Sequence, residues 1–436
     1  MKHLKRIVPL LAVTLLASCS SPDALKEMIV YTNPDLSPHY FNNNDLYSDE
    51  YLSFKSKILS FSSRLSESFK NNKYDGNENI IVSPLSIEMC LGLAIRSANN
   101  NTRQEILDAI GVDYETFDQY YSVFYNDMSH INYNELNQKI NELSLTNSIW
   151  IDDEISLKQD CLNDLRDYYY CYSIGADFNN NLNVTKEAMK QFIKEKTHGL
   201  IEPDVGVTEN TLFVLLNTLY LKDLWNMEGL DLSETDKLFK FVNHDKSIKE
   251  TKLLVGYYSS GKAIETESFS ASKAMSLSGM NIYFIKPEGD NSIKDVFNAS
   301  TIDYVINKTN YTYRDDELME EYYTRVLFPS FKADSEVDLK DMFIKDFKVD
   351  DIFTDSADMS SISKDRVFCT DFKHIAKLEV NKKGIEGAAV TYMAYAGEAG
   401  PGPYKEVYND FVVDEEFGYV LVYKDAILFS GIISKI

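Results

Sequence analysis

From "YLSFKSKILSFSSRLSESF", residues 51–69, apolar positions recur every three or four residues, which predicts an amphipathic helix at the start of the globular part. The middle of the chain alternates two kinds of pattern. "NTRQEILDAIG", closing on Gly111, and "KEAMKQFIKEKTHG", closing on Gly199, read as helices, whereas "LSLTNSIWI" and "TLFVLLNTLYL" read as strands. The last quarter is mostly strand. In "HIAKLEV" the alternation places His374, Ala376, Leu378 and Val380 on one face and Ile375, Lys377 and Glu379 on the other. After it, "VNKKGIEGAAVTYMAYAGEAGPGPY", residues 380–404, dissolves into small residues and glycines before strand-like sequence resumes. No internal repeat and no second linker interrupts the pattern, so the expected class is α+β, with helices and large sheets in one body.

Residues 1–21, "MKHLKRIVPLLAVTLLASCSS", carry a basic start (Lys2, Lys5, Arg6) and an apolar run of export-signal length. Leu16, Ala17, Ser18 and Cys19 resemble a bacterial lipobox, in which Cys19 becomes the lipidated first residue of the mature chain. The expected division is a signal over 1–18, lipidated Cys19 with a flexible tether to residue 48, and one domain over 49–436. That predicts a bacterial envelope protein held by its lipid, facing the periplasm or the outside. The net charge of −24, from 44 Lys and Arg against 68 Asp and Glu, repels nucleic acid and anionic lipid surfaces.

Among the remaining cysteines, Cys90 and Cys369 sit in apolar surroundings as core thiols, and Cys161 and Cys171 pair only if the fold joins them. No Cys or His spacing suits a metal, and no cofactor motif is present. The sequence has six histidines and no H-E-x-x-H pair, no G-x-S-x-G elbow and no phosphate-binding loop. Ser83 and Ser86 stand around a predicted helix start, where serine caps and Pro84 suits the first turn, so with His374 they read as structural residues and not as a catalytic set.

Five segments, in order, resemble the serpins. "NIIVSPLSIEMCLGLAIRSANNNTRQEILDAIG" is similar to the motif that opens the serpin core, and "FVLLNTLYLKDLW" to the central strand of the main sheet. "VLFPSF", "HIAKLEVNKKGIEGAA" and "AILFSGIISKI" are similar to the later sheet strands, the hinge and the closing strand. The resemblance implies a single domain of three sheets and eight or nine helices with an exposed reactive-centre loop, here about 382–410. It implies a monomeric suicide-substrate inhibitor of serine proteases, and by the same route of cysteine proteases, that traps an acyl-enzyme by inserting its cut loop into the main sheet. By the same resemblance Lys382, Gly384, Ile385, Glu386, Gly387, Ala388 and Ala389 form the hinge. Ser83, Ser86, Asn217 and His374 form the shutter, and Trp225 lies in the breach where insertion starts.

A loop that becomes a central strand needs small residues and no proline, and none occurs between Lys382 and Pro401. About a dozen new ladder bonds with apolar burial would release on the order of 10 kcal/mol. The chain departs from the family where Lys382 opens the hinge in place of the usual Glu, and where Ser330 stands in place of its basic partner. The loop is also roughly seven residues longer than usual, the extra stretch being "GPGPYKE". Sixteen residues on from Lys382 the cut falls between Glu398 and Ala399, with Ala396 or Tyr395 as the alternative residue before it. The corresponding targets are glutamate-specific, elastase-like or chymotrypsin-like proteases. The competing expectation, kept open by the glycine-rich loop, is a non-inhibitory serpin serving as a binding module or cleavable substrate.

Overall fold

A computed structural model describes residues 24–37, 46–133, 139–203, 205–225, 231–308, 314–370, 372–385 and 404–436. Helix α1 (Asp49–Lys73) starts where the periodicity places it. The Ser48 hydroxyl accepts the Tyr51 N–H, and Tyr51, Phe54, Ile58, Phe61, Leu65 and Phe69 turn inward. Ser83 caps α2 (Pro84–Ser97) with Pro84 in its first turn, and all its residues but Arg96 are buried. Gly111, at φ 88°, ends α3 (Asn100–Ile110), and Asp113 caps α4 (Tyr114–Met128). Helices α5 (Gln159–Asp167) and α6 (Leu182–Lys196) follow on either side of a strand.

Eight strands make the main sheet. In spatial order they are β1 (Ile29–Thr32), β5 (Cys171–Ala176), β4 (Lys139–Asp152), β6 (Phe213–Leu224), β18 (Gly384–Ile385), β17 (Lys373–Asn381) and β16 (Phe331–Asp338), with β3 (His130–Tyr133) on β4. A second sheet orders β11 (Ile264–Glu265), β12 (Phe269–Met275), β13 (Asn281–Pro287), β20 (Phe417–Tyr423), β21 (Ala426–Ile433) and β2 (Ile80–Val82). The third is centred on β15 (Glu320–Phe328), which pairs with β9 (Leu254–Val255), β10 (Ser259–Ser260), β14 (Arg314–Asp315) and β19 (Lys405–Val412). β7 (Phe239–Val242) and β8 (Ile248–Thr251) form a separate ribbon. Helix α2 lies between β6 of the main sheet and β21 of the second, which is why it is buried all round. The core runs continuously through both sheets and α1–α4.

The structure differs from the sequence reading in two places. The stretch read as a tether is not structureless over 24–32, because Ala24–Glu27 make a 3-10 turn and β1 joins the edge of the main sheet. Its four residues were too few for a periodic signal. The segment read as loop is shorter at both ends, since Gly384 and Ile385 are strand and β19 runs parallel to β15 from Lys405 onward, taking in Lys405 and Glu406 of the extra stretch. The cysteines raise no such difference, since the fold does not join Cys161 to Cys171, and Cys90 and Cys369 are buried free thiols as expected. No helix among the described residues is long and apolar enough to cross a membrane.

Candidate functional site

The main sheet carries a gap. Strands β6 and β17 would be neighbours, yet they meet only through β18, where Gly384 pairs with Leu224 and Asn381 while Ile385 pairs with Asp223 and Val380. Beyond those two residues nothing pairs β6 to β17 among the described residues. A cavity of about 90 Å³ occupies the lane, lined on the sheet by Phe213 to Leu219 and by Lys373, His374 and Ile375, and covered by Met189 and Ile193 of α6. Residues 214–217 of β6 are therefore half-exposed although they lie mid-sheet, while the rest of the strand's far half is almost wholly buried. A parallel pair left unpaired between two long strands is a slot shaped for one more strand, antiparallel to both.

At the closed end two of the expected hinge residues, Gly384 and Ile385, are already paired between the two strands. The turn after β17 folds back at Lys382 and Lys383, so β18 runs down between its two neighbours with Ile385 fully buried. Gly384 is required by close approach, since a Cβ there would stand 2.1 Å from the Asp223 carbonyl oxygen. Trp225 donates its indole N–H to the Asn381 carbonyl at 2.7 Å and packs on Phe328, beside the turn that leads into β18. Lys382 finds a partner the sequence did not reveal, Asp231 at 3.1 Å, and its carbonyl accepts the Leu232 N–H. The altered family ion pair is thus replaced by a different one.

Asp223 is a second residue that sequence reasoning missed. Its buried carboxylate accepts hydrogen bonds from the hydroxyls of Ser276 and Ser278, and Leu277 N–H caps the Leu224 carbonyl. Burial raises the Asp223 pKa against the lowering effect of those hydroxyls. The turn 276–278 thereby ties the end of β6 to the second sheet. A charged residue inside an apolar strand pattern was the available signal.

Under the middle of the lane the four expected shutter residues come together in two halves. On the β17 side, Ser83 N–H donates to His374 Nε2 at 3.0 Å, and the Ser83 hydroxyl donates to the Leu428 carbonyl at 2.7 Å. On the β6 side, the Ser86 hydroxyl donates to Asn217 Oδ1 at 2.6 Å. The start of α2 joins the halves, because Ser86 N–H caps on Ser83 Oγ. Since Nε2 accepts, the His374 ring carries its proton on Nδ1 and is neutral, and burial holds its pKa down to about 4. Asn217 also donates to Asn147 Oδ1 at 2.9 Å, and Asn147 reaches the Tyr121 hydroxyl and the Tyr169 carbonyl. This extension into β4 was absent from the sequence reading, although a buried asparagine in a strand pattern was a signal for it. The arrangement contains no nucleophile paired with a base, as Ser83 and His374 are linked through a backbone N–H.

Lipidation at Cys19, the hinge residues Glu386, Gly387, Ala388 and Ala389, and the bond residues Tyr395, Ala396, Glu398 and Ala399 lie outside the described residues.

Comparison with known proteins bears on this architecture directly. The family model described as "Serpin (serine protease inhibitor)" matches residues 56–436. Human Serpin B7 is 26% identical over 376 residues, covering 82% of this chain and 93% of its own. The native stressed structure of Arabidopsis AtSerpin1 shares the fold at a TM-score of 0.72 and 20% identity, over 89% of this chain and 99% of that one. A thyroxine-binding globulin complexed with thyroxine shares it at 0.70 and 18%, over 88% and 99%. With the open lane, the paired Gly384 and Ile385 and the buried cluster of Ser83, Ser86, Asn217 and His374 all inside the matched segment, the chain belongs to the serpin family, whose members are generally protease inhibitors rather than enzymes.

Proposed function

We propose that this serpin is a suicide-substrate inhibitor of serine proteases, and by the same route of cysteine proteases. In this reading the protease nucleophile attacks the Glu398 carbonyl and the bond to Ala399 breaks, with the new amine leaving. The cut loop then enters the lane while the acyl-enzyme is still intact. The observation that carries the reading is the lane itself, open between β6 and β17 and already entered by Gly384 and Ile385.

Register supports it in detail. Because Ile385 stands opposite Asp223 and Val380, six more residues along the same register bring Thr391 between Asn217 and His374. A hydroxyl would then lie between the two halves of the shutter. Four more bring Tyr395 opposite Phe213, the first residue of β6, so residues 384–395 fill the lane and Glu398 follows just beyond it. Ile385, Gly387, Ala389 and Thr391 share the inward face in that register, and none is charged.

The test is to mix the mature chain with glutamate-specific, elastase-like and chymotrypsin-like serine proteases. Denaturing gels and the mass of the released C-terminal peptide are then read. A denaturant-stable complex is expected, with a peptide beginning at Ala399. A peptide beginning at Gly397 or Ala396 would move the bond to Ala396 or Tyr395. Loop cleavage without any complex would assign the chain instead to the non-inhibitory serpins, as a binding module or cleavable substrate.

The lipid anchor on Cys19 and an envelope location belong to the same proposal, supported by the signal-like start and the lipobox. Ala24 lies five positions after Cys19, so an anchored chain would be held within roughly 17 Å of its 3-10 turn. Cys19→Ala is expected to release the protein from the membrane fraction. Continued membrane association of that variant would overturn the anchor.

A further inference from the structure

We propose that residues 24–32 are a strap that slows entry of a strand into the lane, an inference that rests on the insertion reading above. Two observations combine. The first is what covers the lane. Met189 and Ile193 of α6, with Pro203 and Val205 just after it, line the cavity opposite the half-exposed stretch of β6. A strand occupying that depth displaces these side chains, so α6 has to lift from the sheet as the strand passes.

The second is what holds α6. Ala24 is buried in a cluster with Trp150, Phe192 and Ile193, and Leu25 and Met28 pack on the same cluster. The Leu25 N–H donates to Gln191 Oε1 on α6 at 3.1 Å. A few residues later the same stretch is the edge strand β1, paired with β5 from Ile29 opposite Gly175 to Thr32 opposite Ser173, with Thr32 buried. One short piece of chain therefore grips α6 at its start and the sheet at its end, and lifting α6 strains or breaks one grip. α6 is otherwise held to the sheet here by Phe192 packed on Trp150 and by Lys196, which lies over the Tyr172 ring and donates to its hydroxyl at 3.2 Å.

The strap is also built to come off. Ile29 and Val30 are each 54% exposed, so the first half of β1 buries little, and after Thr32 only Pro34 is buried while Asn33, Asp35, Leu36 and Ser37 are exposed on the surface. Detachment, by a cut in that stretch or by tension on the N-terminus, would free α6 without touching the lane, the hinge or the shutter. The strap thus sets the balance between a loop that waits and a loop that inserts.

The test uses the mature chain and a synthetic peptide of residues 385–396, IEGAAVTYMAYA. Uptake is followed by native-gel mobility and hydrogen exchange is read on α6 and β1. Ala24→Asp puts a charge into the apolar cluster, Val30→Pro disrupts the β1 ladder, and the double variant does both. With the strap released, peptide uptake is expected to rise roughly tenfold, the effect of losing about one hydrogen bond and a buried methyl group from the barrier, with α6 exchanging faster. An unchanged uptake rate in the double variant, with β1 amides exchanging freely, would overturn the strap and leave the insertion reading standing. Failure of every form, wild type included, to take up peptide would overturn the insertion reading and the strap with it.

Discussion

His374 and Glu88 are both buried, and their protonation pulls stability in opposite directions with pH. The His374 ring accepts a backbone N–H, and burial lowers its pKa from 6.5 to about 4. Between those values the unfolded chain binds a proton that the native chain refuses. Stability is therefore lost as pH falls from 6.5 towards 4, and His374→Gln is expected to flatten that limb in thermal scans. The same substitution should cost about 1–3 kcal/mol at pH 7 where it leaves the Ser83 N–H unpaired. Glu88, in the middle of α2, is pushed by burial from 4.5 up to about 8, against the lowering effect of the Ser62 hydroxyl. Here the native chain keeps a proton that the unfolded chain has released, so stability falls as pH rises from 4.5 towards 8. Glu88→Gln is expected to raise the unfolding midpoint at pH 8 and to leave it nearly unchanged at pH 4.5. Equal midpoints for variant and wild type at pH 8 would show that the carboxyl is ionised at no cost.

Among the elements, β18 and the polar cluster beneath the lane depend on what the lane admits. Gly384→Val forces a branched side chain onto the Asp223 carbonyl, so β18 is expected to leave its place and the trapping of protease to give way to simple cleavage. Thr391→Arg should have the same outcome by another route, because continuing the β18 register brings a guanidinium between Asn217 and His374, where burial without a partner costs several kcal/mol. Both are read as the ratio of complex to cleaved chain on a denaturing gel. Undiminished complex with Thr391→Arg would show that insertion stops short of the shutter. Ser83, Ser86, Asn217 and His374 were legible as a group because their motifs stand in order along the chain. Asp223 and Asn147 were not, since each reads as one polar residue within a strand and gains its role from partners more than 20 residues away.

For the whole molecule, the open lane means that the described fold leaves one strand's worth of pairing unmade. Extending β18 through residues 386–395 would add ladder bonds and apolar burial on the order of 10 kcal/mol. A chain cut after Glu398 is therefore expected to unfold at a markedly higher temperature than the intact chain by calorimetry. Equal midpoints would show that the cut loop stays outside the sheet. The same vacancy makes the intact molecule a strand acceptor, so mild heating should yield a ladder of oligomers on size-exclusion chromatography.

The helices and strands whose periodicity is long, the inward face of β17, the cap at Ser83 and the family can all be read along the chain. Each rests on local spacing or on motifs that keep their order along the chain. The fold alone brings out that β6 and β17 stand apart, that Lys382 pairs with Asp231, that Glu88 is enclosed, and that residues 24–32 touch both α6 and the sheet edge. The physical reason is that a gap, an ion pair, an enclosure and an edge pairing are relations between segments distant in the chain. Residue type alone says what a side chain can do, and the fold decides what it meets.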